Sequence, residues 1–137
     1  MKFEGGCYCK ALHYVAEGSP ALKAECHCRE CQYIAGGGPN FFMLMPPDGF
    51  HYVKGEPKSF TRDDLERPVT REFCANCGTH ILTRVPGLPM VVLKVGTLDD
   101  PAAMYGGPQI AINMIDNQPF HQIPEGMPTF ERLPPRS

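Results

Sequence analysis

Short apolar runs and alternating stretches recur along the chain, separated by turn-forming residues. Leu12-His13-Tyr14-Val15-Ala16 has the aromatic and β-branched content of a strand. Residues 41–45 form an unbroken apolar run between Pro39-Asn40 and Pro46-Pro47, which predicts a buried strand. Residues 50–53 follow Pro47-Asp48-Gly49, so the two segments read as a hairpin. Residues 69–73 and the set Thr79, Ile81 and Thr83 alternate with period two on either side of Cys74-Ala75-Asn76-Cys77-Gly78. They predict two strands around a tight turn. Residues 90–95 give another apolar run, and Ile110, Ile112 and Met114 one more alternating strand.

Helical signals are few. Asp100-Pro101 ahead of Ala102-Ala103-Met104 reads as an N-cap with a first-turn proline, and residues 30–35 predict a second short helix. The segment from Pro119 onward is proline-rich and should run extended over the surface. Proline and glycine, 15 and 14 of 137 residues, disfavour long helices and favour short strands joined by turns. The expected architecture is therefore a mostly-β single domain spanning residues 1–137.

The net charge of −2, with no basic clustering, speaks against nucleic acid as a partner. The opening Met1-Lys2-Phe3-Glu4-Gly5-Gly6-Cys7 lacks the apolar region of a signal peptide. The longest uncharged apolar stretch, residues 34–47, is too short and too broken by glycine and proline to span a bilayer. A cytoplasmic location without a membrane partner is expected, and there clustered cysteines point to metal or thiol chemistry rather than disulfides.

All 7 cysteines fall into groups: Cys7-x-Cys9, Cys26-x-Cys28-x-x-Cys31 and Cys74-x-x-Cys77. Such spacings let two thiolates reach one metal about 2.3 Å away, and zinc suits thiolate ligands. Seven divides into four and three. Four protein ligands close a tetrahedral structural site; three leave a position open, as in catalytic zinc. Gly78 assigns Cys74 and Cys77 to the closed site, because a knuckle turn needs φ > 0 after its second cysteine. Its partner pair is either Cys7/Cys9 or two of the central three; spacing does not choose. One structural zinc with three spare thiols, an iron–sulfur cluster and plain buried thiols are the competing readings.

Gly5-Gly6-Cys7-Tyr8-Cys9 with Tyr14, Cys26-His27-Cys28-Arg29-Glu30-Cys31, and Phe73-Cys74-Ala75-Asn76-Cys77-Gly78-Thr79 together resemble the glutathione-dependent formaldehyde-activating enzyme family, which includes centromere protein V-like proteins. Gly96-Thr97-Leu98-Asp99-Asp100-Pro101 and Gly126-Met127-Pro128-Thr129-Phe130 add to the resemblance. It implies a β-tent fold of several coiled antiparallel sheets stapled by zinc. It implies a structural zinc on Cys7, Cys9, Cys74 and Cys77 and a catalytic zinc on Cys26, Cys28 and Cys31. It also implies a carbon–sulfur lyase that forms or breaks a thiol–aldehyde adduct, S-hydroxymethylglutathione in the founding case. The partners would be a small thiol and an aldehyde. The chain departs from the pattern at Gln32, where the family often has a basic residue.

Within that scheme Arg29 is the candidate to hold a substrate carboxylate. His27 is a candidate proton acceptor or a hydrogen-bond donor to a ligand thiolate, or simply a solvent-facing side chain. His13, His51, His80 and His121 are read as surface or core histidines rather than ligands. A non-enzymatic zinc-stapled binding module and a thiol-redox protein using Cys28-x-x-Cys31 are the rival readings.

Overall fold

Alternation along ten short strands decides the architecture. The computed structural model describes residues 1–135. Its strands are β1 (Lys2–Gly6), β2 (His13–Glu17), β3 (Leu22–Cys26), β4 (Asn40–Met45), β5 (Phe50–Lys54), β6 (Lys58–Thr61), β7 (Thr70–Phe73), β8 (His80–Arg84), β9 (Val91–Lys94) and β10 (Ile110–Ile112). Two short helices, α1 (Arg29–Ala35) and α2 (Pro101–Met104), complete the regular structure apart from 3-10 turns. The fold is mostly β, as the composition demands. One sheet has three strands in the order β1-β2-β5; the other has seven, β10-β3-β4-β9-β8-β7-β6. All pairings are antiparallel except β10 with β3, which is parallel.

Residues of one parity build the core. Met43 and Met45 of β4 and Val91 and Leu93 of β9 pack with Phe3, Tyr14, Ala16 and Phe50 of the small sheet. Residues of the other parity, Phe42, Leu44 and Val92, belong to a second apolar cluster with Ala24, Cys26, Cys31 and Ile112. One face of the seven-stranded sheet is thus covered by the small sheet, and the other carries separate chemistry.

The anticipated hairpin between residues 41–45 and 50–53 does not form. β4 pairs with β3 and β9, whereas β5 pairs with β2 in the other sheet. The consecutive prolines explain the divergence. Pro46 and Pro47 have no N–H to continue a ladder, and the 3-10 turn at Pro47–Gly49 carries the chain from one sheet to the other. Met114 also leaves its expected strand. Asn113 adopts a left-handed φ of 55°, which ends β10 and starts a 3-10 turn at Met114–Asp116.

Other local expectations match. β7 and β8 form the hairpin around the Cys74–Cys77 turn. The Ala103 N–H donates to Asp100 Oδ1 at 3.1 Å, capping α2. The proline-rich C-terminal segment runs extended beside β10: the Phe130 N–H donates to the Ala111 carbonyl at 2.9 Å, and the Ala111 N–H to that of Pro128 at 3.0 Å. Among the described residues, no helix is long and apolar enough to cross a membrane.

Candidate metal centre

Two turns bring four cysteines together. The β1–β2 turn carries Cys7 and Cys9, closed by the Cys7 N–H donating to the Leu12 carbonyl at 3.2 Å and the Lys10 N–H to the Cys7 carbonyl at 3.1 Å. The β7–β8 turn carries Cys74 and Cys77, with Gly78 at φ 80° as its knuckle geometry requires. The Tyr8 N–H donates to Thr79 Oγ1 at 3.1 Å and ties one turn to the other. The four Sγ atoms lie within 4.8 Å of one another, and the choice left open by spacing falls on Cys7/Cys9 as the partner pair. Cys7 and Cys9 Sγ are 3.6 Å apart, and Cys9 and Cys74 Sγ 3.7 Å. A tetrahedral thiolate site with bonds of about 2.3 Å has edges of about 3.8 Å, so the spacing fits zinc.

The groups around these sulfurs suit thiolates. The Leu12 N–H donates to Cys7 Sγ at 3.2 Å, Asn76 Nδ2 to Cys9 Sγ at 3.2 Å, and the Cys77 N–H to Cys74 Sγ at 3.4 Å. Hydrogen bonding from Thr79 holds the Cys77 thiol down to about 5. Donors aimed at sulfur stabilise its negative charge and fix its direction.

The second group consists of Cys26, Cys28 and Cys31, whose Sγ atoms also lie within 4.8 Å of one another. Cys26 ends β3. Cys28 is the N-cap of α1, its sulfur accepting from the Cys31 N–H at 3.3 Å, and Cys31 lies in the helix's first turn. Asn113 Nδ2 donates to Cys26 Sγ at 3.2 Å from the end of β10. Hydrogen bonds from Cys28 and Cys31 hold the Cys26 thiol down to about 2; the same bond to Cys26 pushes Cys28 up to about 12, and Cys31 is also raised, chiefly by its bonds to Cys26 and Cys28. The three sulfurs thus oppose one another's ionisation. A divalent cation lets all three ionise, and the all-thiolate donor set fits zinc. Among the described residues, no histidine joins either group.

His27 does not face solvent. It is fully buried, and its Nδ1 lies 2.9 Å from Nδ1 of His121. His121 Nε2 donates to the Gly37 carbonyl at 2.8 Å, while His121 Nδ1 accepts from the Gln118 N–H at 3.3 Å. The His27 Nδ1–H must therefore donate to His121, which leaves His27 Nε2 facing Glu25 Oε2 at 3.4 Å. Glu25 is buried as well, and its Oε1 has no partner among the described residues. Burial pushes the Glu25 carboxyl up and the His27 imidazole down, disfavouring the charged form of each. His121, ninety-four residues from His27 along the chain, thus belongs to the support of the cysteine loop. Only the tertiary fold shows this.

A cleft of ≈ 990 Å³ opens beside the three-cysteine group, over the uncovered face of the seven-stranded sheet. Sheet register writes its floor. Leu22, Leu44, Val92, Thr83, Arg71 and Phe60 are successive cross-strand partners from β3 to β6, and all six line the cleft. The next row places Lys94 opposite Phe42 and Phe42 opposite Ala24; the row after that places Asn40 opposite Cys26 and Cys26 opposite Ile112. Lys94 is the residue that sequence reasoning passed over, although a lysine closing an apolar strand was the visible signal.

Arg29 is not among the residues lining the cleft. Its guanidinium lies 5.0 Å from the centroid of the Tyr33 ring and donates to Gln32 Oε1. Gln32 is buried and equally occupied, with Nε2 donating to the carbonyls of His27 at 2.9 Å and Asp116 at 2.8 Å. Exchanging Gln32 for a basic residue, which has no acceptor, would take away the Oε1 that receives the Arg29 and Gln118 donors and set a second cation beside Arg29.

A crystal structure of a Rhodobacter sphaeroides protein, determined as a structural genomics target, is similar at a TM-score of 0.60 and 18% identity, covering 77% of this chain and 97% of that one. At that identity the likeness concerns the fold. No curated protein sequence matches the chain. The family model described as glutathione-dependent formaldehyde-activating enzyme matches residues 2–114, and the chain belongs to that family.

Proposed function

We propose that this chain is a zinc-dependent carbon–sulfur lyase that forms or breaks an adduct between a small thiol and an aldehyde. Membership of the family supports a glutathione- and formaldehyde-related chemistry. The observation that carries the finer reading is the contrast between the two cysteine groups. One has four sulfurs from two interlocked turns; the other has three sulfurs at the end of an open cleft. In this reading Cys7, Cys9, Cys74 and Cys77 hold a structural zinc, and Cys26, Cys28 and Cys31 hold a catalytic one.

Zinc on the three cysteinates would supply a soft cation beside which a substrate sulfur stays ionised at neutral pH. The chain's own residues do the rest. Asn113 and the first turn of α1 fix the directions of the cysteine sulfurs. Lys94 and Arg71, rather than Arg29, offer positive charge to a substrate carboxylate inside the cleft. The cleft holds thiol and aldehyde together away from bulk water, which supplies the proximity gain. The sulfur lone pair forms the C–S bond as the carbonyl π electrons move to oxygen. The oxygen then takes up the proton that the thiol released, and the reverse order splits the adduct.

The test is metal analysis of protein purified without chelators, followed by calorimetric titration with 2-mercaptoethanol in buffers of differing ionisation enthalpy. Between one and two zinc ions per chain are expected, with thiol binding that releases a proton and is lost in Cys28→Ser. A zinc content well below one in folded protein, or binding unchanged in Cys28→Ser, overturns the reading. The thiol-redox reading draws on the 2.9 Å separation of Cys28 and Cys31 Sγ. It predicts a reversible loss of two free thiols on mild oxidation of zinc-loaded protein, which the lyase reading does not.

A further inference from the structure

Two asparagines flank Cys26, and they are employed differently. Asn113, just past β10, has its Nδ2 donating to Cys26 Sγ at 3.2 Å. Asn40 opens β4 directly opposite Cys26 in the antiparallel pair. Residues paired this way send their side chains to one face, with Cβ atoms about 5 Å apart. That face is the cleft, which both Asn40 and Cys26 line. Asn40 is only 7% exposed, yet its side-chain amide makes no hydrogen bond among the described residues.

A primary amide held out of water without a partner is costly. The neighbouring row of the cleft floor sets Phe42 opposite Ala24, both apolar, so packing alone would favour carbon at position 40. The amide is therefore explained by a ligand atom that completes it. The cationic side chains of the floor stand farther from the sulfurs. Lys94 is on β9, two strands from Cys26, and Arg71 is on β7, two strands beyond that. At about 4.8 Å per strand, those cations suit the far end of a substrate, whereas Asn40 is within reach of an atom joined to its reacting sulfur.

We propose that Asn40 receives the aldehyde oxygen, its Nδ2–H donating to the negative charge that develops there as the C–S bond forms. The inference rests on the lyase reading above. The sulfur lone pair enters the C–S bond, the carbonyl π pair moves onto oxygen, and the amide holds that oxygen without giving up its own proton. The oxygen stays free to take the proton that the thiol released, and the reverse flow splits the adduct. A fixed donor aimed at charge present only in the transition state accelerates the step without tightening thiol binding.

Two measurements on the zinc-loaded full chain test this. The first is exchange between 2-mercaptoethanol, formaldehyde and their adduct, followed by exchange spectroscopy on isotopically labelled formaldehyde. Asn40→Leu, similar in size, should slow the catalysed exchange roughly a hundredfold and leave the affinity for 2-mercaptoethanol alone within about twofold of the parent's. Its melting temperature should not fall, because the amide it removes has no partner in the fold. The second follows the Asn40 side-chain amide of the unaltered protein by nuclear magnetic resonance. One of its N–H signals should move downfield with thiol and formaldehyde together, and further than with thiol alone. Catalysed exchange that survives in Asn40→Leu overturns the proposal, as does an amide signal that responds no more to both reactants than to the thiol. The resonance measurement decides the matter if the variant does not fold. No acceleration of exchange by the unaltered protein sinks the lyase reading itself, and this proposal with it.

Discussion

The imidazoles of His27 and His121 meet Nδ1 to Nδ1 at 2.9 Å, and their roles are fixed by the Gly37 carbonyl, which accepts from His121 Nε2, and by the Gln118 N–H, which donates to His121 Nδ1. His121 is thereby the clasp between the C-terminal segment, the glycine-rich loop after α1 and the Cys26–Cys28 loop. Replacing it by Phe keeps a ring but leaves the His27 Nδ1–H and the Gly37 carbonyl without partners. We expect His121→Phe to lose roughly 1–3 kcal/mol of stability. Urea denaturation measures this, and a midpoint equal to the parent's would show that the clasp carries no stability.

The two cysteine groups should respond differently to serine. Cys74 is buried and its site joins turns 65 residues apart, so its loss removes a cross-link of the small domain. Cys74→Ser is expected to give insoluble protein or a melting temperature lower by roughly 10 °C or more. Cys28→Ser should keep the fold, because its helix cap survives with an oxygen in place of sulfur. Thermal melts of both variants beside the parent decide the point; equal melting for Cys74→Ser and the parent would remove the structural role.

Lys94 makes stability depend on pH. Burial pulls its pKa down to about 8; Cys31, Cys26 and Cys28 oppose the fall, and Arg71 adds to it. In the unfolded chain the amine titrates near 10.4. Between these values the unfolded state binds more protons, so stability rises with pH from about 8 to about 10.4 and is indifferent to this group below both. The parent should gain roughly 1–3 kcal/mol between pH 7.5 and 9.5 relative to Lys94→Met. Parallel slopes for the two proteins in urea denaturation across that range would refute the assignment.

Gly5 packs where no side chain fits. A methyl there would overlap the Thr97 carbonyl oxygen and come within 2.5 Å of the Tyr14 hydroxyl. Tyr14 in turn bonds Thr97 Oγ1 at 2.8 Å, so neither can retreat without breaking a buried contact. Gly5→Ala is expected to cost about 3 kcal/mol or more. A loss under about 1 kcal/mol in denaturant titration would mean that β1 can shift away from its neighbours.

Much of this molecule was legible in its sequence, for reasons that differ from place to place. The Cys74–Cys77 hairpin was readable because alternation, spacing and Gly78 all point to one local geometry. β4 and β9 announced themselves as apolar runs because both of their faces are apolar. β1, β3 and β6 gave no such signal. β1 ends in two glycines, β3 mixes Lys23 and Glu25 with apolar residues, and β6 is an exposed edge strand. The pairing of β5 with β2 was hidden because a proline turn after a strand reads the same whether the chain folds back or crosses over. His121 and Lys94 owe their roles to distant neighbours, the first to a loop that folds back on α1 and the second to sheet register. Composition and spacing carry no record of either.

The two-faced character of the seven-stranded sheet has a consequence for how this protein can change over generations. Along β4, Met43 and Met45 face the core while Phe42 and Leu44 face the cleft; along β9, Val91 and Leu93 face the core while Val92 and Lys94 face the cleft. Neighbouring positions in one strand therefore answer to different selective pressures. Substitutions at cleft-facing positions can reshape ligand preference with little penalty to the packing beneath, whereas those at core-facing positions disturb packing shared with the small sheet. Evolvability is written into the strands at every second residue, and a library that varies only Leu22, Leu44, Val92 and Lys94 would explore new ligands on an unchanged scaffold.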